Sequence, residues 1–270
     1  MRSIIFRCDS SSLIGSGHLI RCKNLARQLV SLGFFVHFVC RDHPGNLISL
    51  LRSEFSVSVL PASTTSFEDN SCPSAKSLEV AYEVWLGTSQ SVDAYEFLDA
   101  IKAIGLSSID WIIIDHYSLD SVWENIAITG LNDLYENPPR LMVIDDLANR
   151  THVCDLLLDQ NYFGDRSRIR YKDLVPMSCI SLLGPSYAML ADEYRVINPI
   201  VSCREKLSHI LIYFGSSDPC NLTSCSLEAL SLPEFSDYHV DVVIGHNLDH
   251  YKSVEKLCLI RPNTTLHSPL

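Results

Sequence analysis

The chain has 270 residues, 47% of them apolar and 20% charged, which is ordinary globular usage and excludes disorder and fibrous repeats. At about 150 residues per domain, two domains are expected. The 32 acidic against 21 basic residues leave a formal charge of −11, which excludes a nucleic-acid partner because clustered cations are lacking, while a small anion held by backbone N–H groups stays open.

Met1 to Phe6 holds only a short apolar run before Arg7 and Asp9, so no signal peptide is read, and no apolar run approaches the ~20 residues that cross a bilayer. The expectation is a cytoplasmic protein with no membrane partner. Its 10 cysteines are then expected as reduced, buried thiols; with no C-x-x-C pair and no Cys/His ligand spacing, structural zinc is not expected.

Ile4–Cys8 reads as a buried strand. Leu19, Cys22, Leu25, Ala26, Leu29 and Val30 follow at helical spacing up to Gly33, and Phe34–Cys40 is the next strand. A short helix at Leu47–Leu51 and a strand at Ser56–Leu60 complete a βαβαβ half of a doubly wound sheet. Pro61 to about Val80, rich in Ser, Thr and Pro, reads as a surface insertion. Helix Asp93–Ile104, strand Trp111–Asp115, helix Leu119–Tyr135, strand Leu141–Asp145 and the apolar run Cys154–Asp159 extend the same parallel sheet.

The pattern breaks between Gly184 and Leu207, and Asn198-Pro199 with Ser202 marks an interdomain crossing. Domains are therefore expected at 1–200 and 204–270. In the second, strand His209–Phe214, helix Asn221–Leu230, strand Val240–Ile244, helix Leu248–Leu257 and strand Thr264–His267 make about 65 residues, so that domain is expected to be incomplete.

The segment from Arg7 to Arg21 places polar residues at the carboxyl end of the first strand, then Gly15 and Gly17, then His18 at the start of a helix. In doubly wound sheets this crevice receives ligands. Gly15 and Gly17 would permit positive φ and close approach of backbone N–H groups to an anion or a sugar. At the start of a helix His18 would be placed as a general base, the dipole there disfavouring a second positive charge; a helix-capping or packing histidine is the alternative. Ile20 in place of a third glycine argues against a dinucleotide site.

Asp9 either orients His18, hydrogen-bonds a sugar amide, or caps a turn; Arg21 reaches phosphate or pairs with Asp9. Asp115, His116 and Tyr117 end a strand on the same side and either touch substrate or close the sheet end. Adjacent Asp145 and Asp146 point to opposite faces, so one faces the crevice and the other caps. By the same helix-terminus logic, Gly215-Ser216-Ser217-Asp218 ahead of a helix can hold diphosphate.

The string F-R-x-D-x-S-x-x-I-G-x-G-H-x-x-R resembles the N-terminal signature of the UDP-2,4-diacetamido-2,4,6-trideoxy-β-L-altropyranose hydrolases of pseudaminic acid biosynthesis. Ile112–Tyr117, Ile144–Ala148, Cys154–Asn161, Gly184–Leu190 and Phe214–Pro219 are similar to further blocks of that family, in family order. The resemblance implies two Rossmann-like domains of glycosyltransferase-B-like architecture. It implies hydrolysis of the anomeric C1–O bond with inversion, releasing UDP and a free sugar, with His18 as base and neither metal nor cofactor. Substrate contacts are implied for Arg7, Asp9, Ser10, Gly15, Gly17, Arg21, His116, Tyr117, Asp146, Asn161, Tyr187, Gly215, Ser216, Ser217 and Asp218.

A good leaving group such as UDP fits a single base, unlike glycosidases with two carboxylates. The family context implies a bacterial surface or flagellin glycosylation pathway, and a monomer is expected. Family members continue past the position of His267 with segments for uridine and diphosphate, so a fragment with weak or absent UDP binding is expected. The rival expectations are a glycosyltransferase of similar architecture and an inactive nucleotide-sugar-binding module.

Overall fold

The structure is a computed structural model and describes residues 2–62, 85–196, 206–215, 218, 220–245 and 250–267. Most of the expected insertion and the expected interdomain crossing at 198–202 lie outside the described residues. The chain divides into two compact units, with the division between Arg195 and Val196.

The first unit is a seven-stranded, wholly parallel sheet in the order β3-β2-β1-β4-β5-β6-β7. Its strands are β1 (Ser3–Cys8), β2 (Phe35–Arg41), β3 (Ser56–Leu60), β4 (Trp111–Asp115), β5 (Arg140–Ile144), β6 (Leu156–Asp159) and β7 (Ile180–Leu183). Its helices are α1 (Gly17–Ser31), α2 (Ile48–Arg52), α3 (Gln90–Ile104), α4 (Ser121–Leu134), α5 (Ser167–Arg170) and α6 (Glu193–Val196), the last reaching one residue past the division.

The strands read as continuous apolar runs because both faces are covered. On one face Ile4, Phe6, Phe38, Ile113 and Ile144 pack against Leu19, Cys22 and Ala26 of α1 and Leu51 of α2. On the other, Ile5, Val39, Ile112, Ile114 and Val143 pack against Phe97 and Ile101 of α3 and Trp123 and Ala127 of α4. Helices α3 and α4 start on side-chain caps: Ser89 accepts from the Val92 N–H and Asp120 from the Val122 N–H. Gly105 ends α3 in the left-handed conformation.

The segment from Gly184 to Leu190 forms a strap beside α1, where Asn24 Nδ2 donates to the Met189 carbonyl at 3.3 Å. Between this strap and the sheet lies an apolar groove of about 430 Å³, lined by Leu25, Trp111, Met142, Leu158 and Met189 among others.

The second unit holds a parallel sheet in the order β10-β9-β8, with β8 (His209–Ile212), β9 (His239–Val243) and β10 (Thr264–His267). Helices α7 (Leu222–Leu230) and α8 (Tyr251–Ile260) bury Ile212, Val240 and Val242 from one side. The fold is therefore α/β with a doubly wound first part and a smaller parallel second part, consistent with the expected incomplete second domain. Cys220 is in a disulfide, so the expectation of thiols throughout fails there.

Candidate active site

The alternation of β4 decides what sits beneath α1. Trp111, Ile113 and Asp115 share the face that packs against α1, and Asp115 is paired in register with Cys8 at the carboxyl end of β1. The helix in turn presents His18, Arg21 and Cys22, spaced three and four residues apart, on one face. All three converge on Asp115. His18 Nδ1–H donates to Oδ1 at 2.6 Å, and Arg21 donates through Nη2 to Oδ1 and through Nε to Oδ2, each at 2.6 Å. The Cys22 thiol donates to Oδ2 at 3.4 Å.

Asp115 is fully buried. Burial alone would raise its pKa, but the Arg21 charge and the hydrogen bonds from Arg21 and His18 outweigh it and hold the carboxyl below the usual range. A carboxylate only accepts, so the hydrogen on His18 lies at Nδ1 and the lone pair of the neutral ring at Nε2. This is the orientation a general base requires.

A second carboxylate stands beside the first. Asp146, just past β5, accepts from Arg21 Nη1 at 2.5 Å, from the Tyr117 hydroxyl at 2.6 Å and from Asn161 Nδ2 at 2.9 Å. The Tyr117 ring meets the His18 ring edge to face at 4.4 Å and stacks on Trp85 at 5.9 Å. Burial first, and then the Asp146 charge, raise the Tyr117 pKa, so the phenol stays protonated. Asp145 turns inward: it accepts from the Leu147 and Ala148 N–H groups and pairs with Arg150 at 2.8 Å. One of the two aspartates thus faces the cluster and the other caps.

The remaining residues expected at the site separate into groups. Arg7 and Asp9 are fully buried and leave no side-chain surface for a ligand. Arg7 pairs with Asp9 and Asp93, each at 2.6 Å, and Arg41 of β2 pairs with Asp93 and Glu96. Asp9 therefore does not orient His18, because its partners are Arg7 and the Arg41 N–H, with the imidazoles of His43 and His116 at 3.4 Å. Arg21 does not pair with Asp9, because Asp115 and Asp146 take its guanidinium. His116 points inward and accepts from the Ser118 N–H, while Ser10 Oγ accepts from the Leu47 N–H.

Gly15 has φ +78° and donates its N–H to the Ser11 carbonyl, so here the expected left-handed turn is present. Gly17 has no positive φ, and a Cβ there would meet nothing within 4 Å, so neither backbone conformation nor packing within the chain demands a glycine at that position. Tyr187 lies in a 3-10 turn, 44% exposed, and lines the apolar groove rather than the His18 cluster.

In the second unit Gly215 has φ +85°, and the Asp218 carboxylate accepts from the Leu222 and Thr223 N–H groups at 2.9 Å, which makes it a buried cap for α7 rather than an open ligand contact. Ser216 and Ser217 lie outside the described residues. Among the described residues no group of three or more His, Cys, Asp or Glu is placed to hold a metal ion, and no helix is long and apolar enough to cross a membrane.

The sequence reading stopped short of the roles of Asp115 and Asp93. The signal for Asp115 was the position itself: it shares the Ile113 face and so lies under α1. Nothing local marks Asp93, whose partners Arg7, Arg41 and the Trp123 indole N–H, which donates at 2.8 Å, come from three other elements.

A seven-stranded parallel sheet with helices on both faces, followed by a smaller parallel α/β unit, is glycosyltransferase-B-like in fold. Solved structures agree at the level of the fold. The calicheamicin glycosyltransferase CalG4 superposes with a TM-score of 0.53 at 14% identity, covering 99% of this chain and 70% of that one. Medicago truncatula UGT71G1 complexed with UDP-glucose gives 0.51 at 13% identity, covering 98% and 71%.

In sequence the chain is similar to the UDP-2,4-diacetamido-2,4,6-trideoxy-β-L-altropyranose hydrolase of Campylobacter jejuni, with 29% identity over 220 residues, 82% of this chain and 62% of the relative. It is also 27% identical over 165 residues to an uncharacterized protein of Methanocaldococcus jannaschii, 59% of this chain and 32% of that protein. The matches thus span less than two thirds of either relative. No protein-family model matches the chain. The resemblance carried by the motif blocks is borne out: the chain resembles these UDP-sugar hydrolases, and His18, Asp115 and Tyr117 stand within the blocks that carry it.

Proposed function

We propose that this chain acts on a UDP-linked amino sugar and hydrolyses its anomeric C1–O bond, with His18 as general base. The observation that carries the reading is the 2.6 Å contact of His18 Nδ1 with a buried aspartate, which turns the basic nitrogen of the ring to Nε2. A water oxygen bonds to C1 on the face opposite the diphosphate and its proton passes to His18 Nε2. The C1–O bond breaks and its electron pair leaves with UDP. The configuration at C1 inverts.

The diphosphate is a stable anion once released, so the leaving side asks little of a general acid. The sugar proposed is the 2,4-diacetamido-2,4,6-trideoxy hexose named for the Campylobacter relative, and the pathway proposed for the product is pseudaminic acid biosynthesis. Of the two parts of the chain, this reading assigns the sugar chemistry to the first.

The test is to incubate the chain with that UDP-sugar in ¹⁸O-labelled water and follow UDP. Expected are label in the sugar, none in UDP, and a loss of about 100- to 10,000-fold in His18→Ala. Transfer of the sugar to an added acceptor in preference to water would replace this reading with a glycosyltransferase. Wild-type turnover in His18→Ala would remove the base.

A further inference from the structure

Asp146 was expected to touch substrate, yet its carboxylate is already engaged. Oδ2 accepts from both Arg21 Nη1 and the Tyr117 hydroxyl, Oδ1 accepts from Asn161 Nδ2, and the Asp146 carbonyl accepts from Arg170 Nη2 at 2.8 Å. Its partners are the two groups that flank the His18 imidazole. Arg21 grips Asp115 with two nitrogens and brings Nη2 within 3.3 Å of His18 Nδ1. Tyr117 lays its ring against the imidazole. Asp146 itself does not touch His18.

The support behind Asp146 is itself built. Asn161 is fixed by Asp159, which accepts from its backbone N–H at 3.0 Å and its side chain at 3.2 Å. Asp159 also accepts from the Tyr171 hydroxyl, which reaches the Asp145 carbonyl as well. Arg170 stands 3.5 Å from Asp159. The turn after β5 is thereby clamped from the β6 side, which restrains the carboxylate it carries.

We infer that Asp146 is a positioning residue for the His18 base: from the end of β5 it fixes Arg21 and Tyr117, and through them the plane of the imidazole and its grip on Asp115. A ring left free to rotate presents Nε2 to the attacking water only part of the time, so loosening this clamp lowers the chemical step rather than binding. The kinetic arm rests on the hydrolase reading; the structural arm does not.

The experiment compares wild type, Asp146→Ala, Asp146→Asn and Tyr117→Phe. In the substrate-free chain, nuclear Overhauser contacts between the His18 and Tyr117 rings are expected in wild type, reduced by half or more in Asp146→Ala and in Tyr117→Phe. They are expected to be partly restored in Asp146→Asn, whose carbonyl still accepts the hydroxyl. With the UDP-sugar, kcat is expected to fall about 10- to 100-fold in Asp146→Ala while KM changes less than about threefold.

Ring contacts unchanged in folded Asp146→Ala and Tyr117→Phe would overturn the inference, as would a KM that rises while kcat holds, which marks a substrate contact. Should Asp146→Ala fail to fold, Tyr117→Phe and Asp146→Asn decide by the same criteria. If wild type shows no hydrolysis, the hydrolase reading fails and the ring contacts alone judge the inference.

Discussion

A histidine and an aspartate 97 residues apart in the chain meet at 2.6 Å because β4 alternates and α1 turns. Asp115→Asn keeps the size of the side chain but removes the charge and offers an amide to Nδ1, favouring the wrong tautomer. By the logic of a histidine held by a carboxylate, kcat is expected to fall about 100- to 10,000-fold, and steady-state kinetics on the UDP-sugar check it. A change below threefold would mean that His18 finds its orientation elsewhere. His18, Arg21, Tyr117 and Asp146 were each named from the sequence because each stands at a strand end or in the first turns of a helix, but so were Arg7, Asp9 and His116, which turn into the interior. Their partners were not legible. The spacing of residues 7 to 21 cannot say whether Arg21 turns to Asp9 or to Asp115; that depends on which side of the sheet each carboxylate occupies.

At the level of the elements, α3 is joined to the sheet by charge as well as by apolar packing. Arg7 and Arg41 from β1 and β2, Asp93 and Glu96 from α3, and the Trp123 indole of α4 meet in one buried cluster. Asp93→Ala would leave two guanidinium groups buried with fewer partners, and a loss of about 3–5 kcal/mol in urea unfolding at pH 7 is expected. A loss below 1 kcal/mol would show that water takes the place of the carboxylate. The pH dependence has a definite sign. Burial alone would raise Asp9, Asp93 and Asp115, but the neighbouring cations hold all three below the usual range in the folded chain. Their stabilisation is full above the unfolded value of about 4 and is lost as pH falls from there toward their folded values, so the urea midpoint should drop steadily on acidification below that point. The strands of this layer were legible as unbroken apolar runs, and β3 and β4 have the bounds read from the sequence. β7 was not anticipated: a four-residue edge strand with Ile180 60% exposed carries neither the length nor the alternation that marks a strand.

For the molecule as a whole, the two units differ in what holds them. The first is a sheet with cores on both faces; the second, among the described residues, buries seven apolar side chains in one cluster between its sheet and α7 and α8. Unfolding free energy grows with the apolar area removed from water, so amides of β9 are expected to exchange with deuterium faster than those of β1 and β4. Equal protection would mean that the whole chain opens as one cooperative body. The fold class was legible from the succession of apolar periods, but the groove beneath the Gly184–Leu190 strap was not, since its lining comes from α1 and from β1, β4, β5, β6 and β7 together. That groove bears on how the chain can be studied. The groove beside Met142 and Trp111 is a greasy slot already present in the native state, large enough for a naphthalene-type reporter. Such dyes should glow on the intact protein, and a thermal scan that relies on their emission would start bright and understate melting; circular dichroism escapes that artefact.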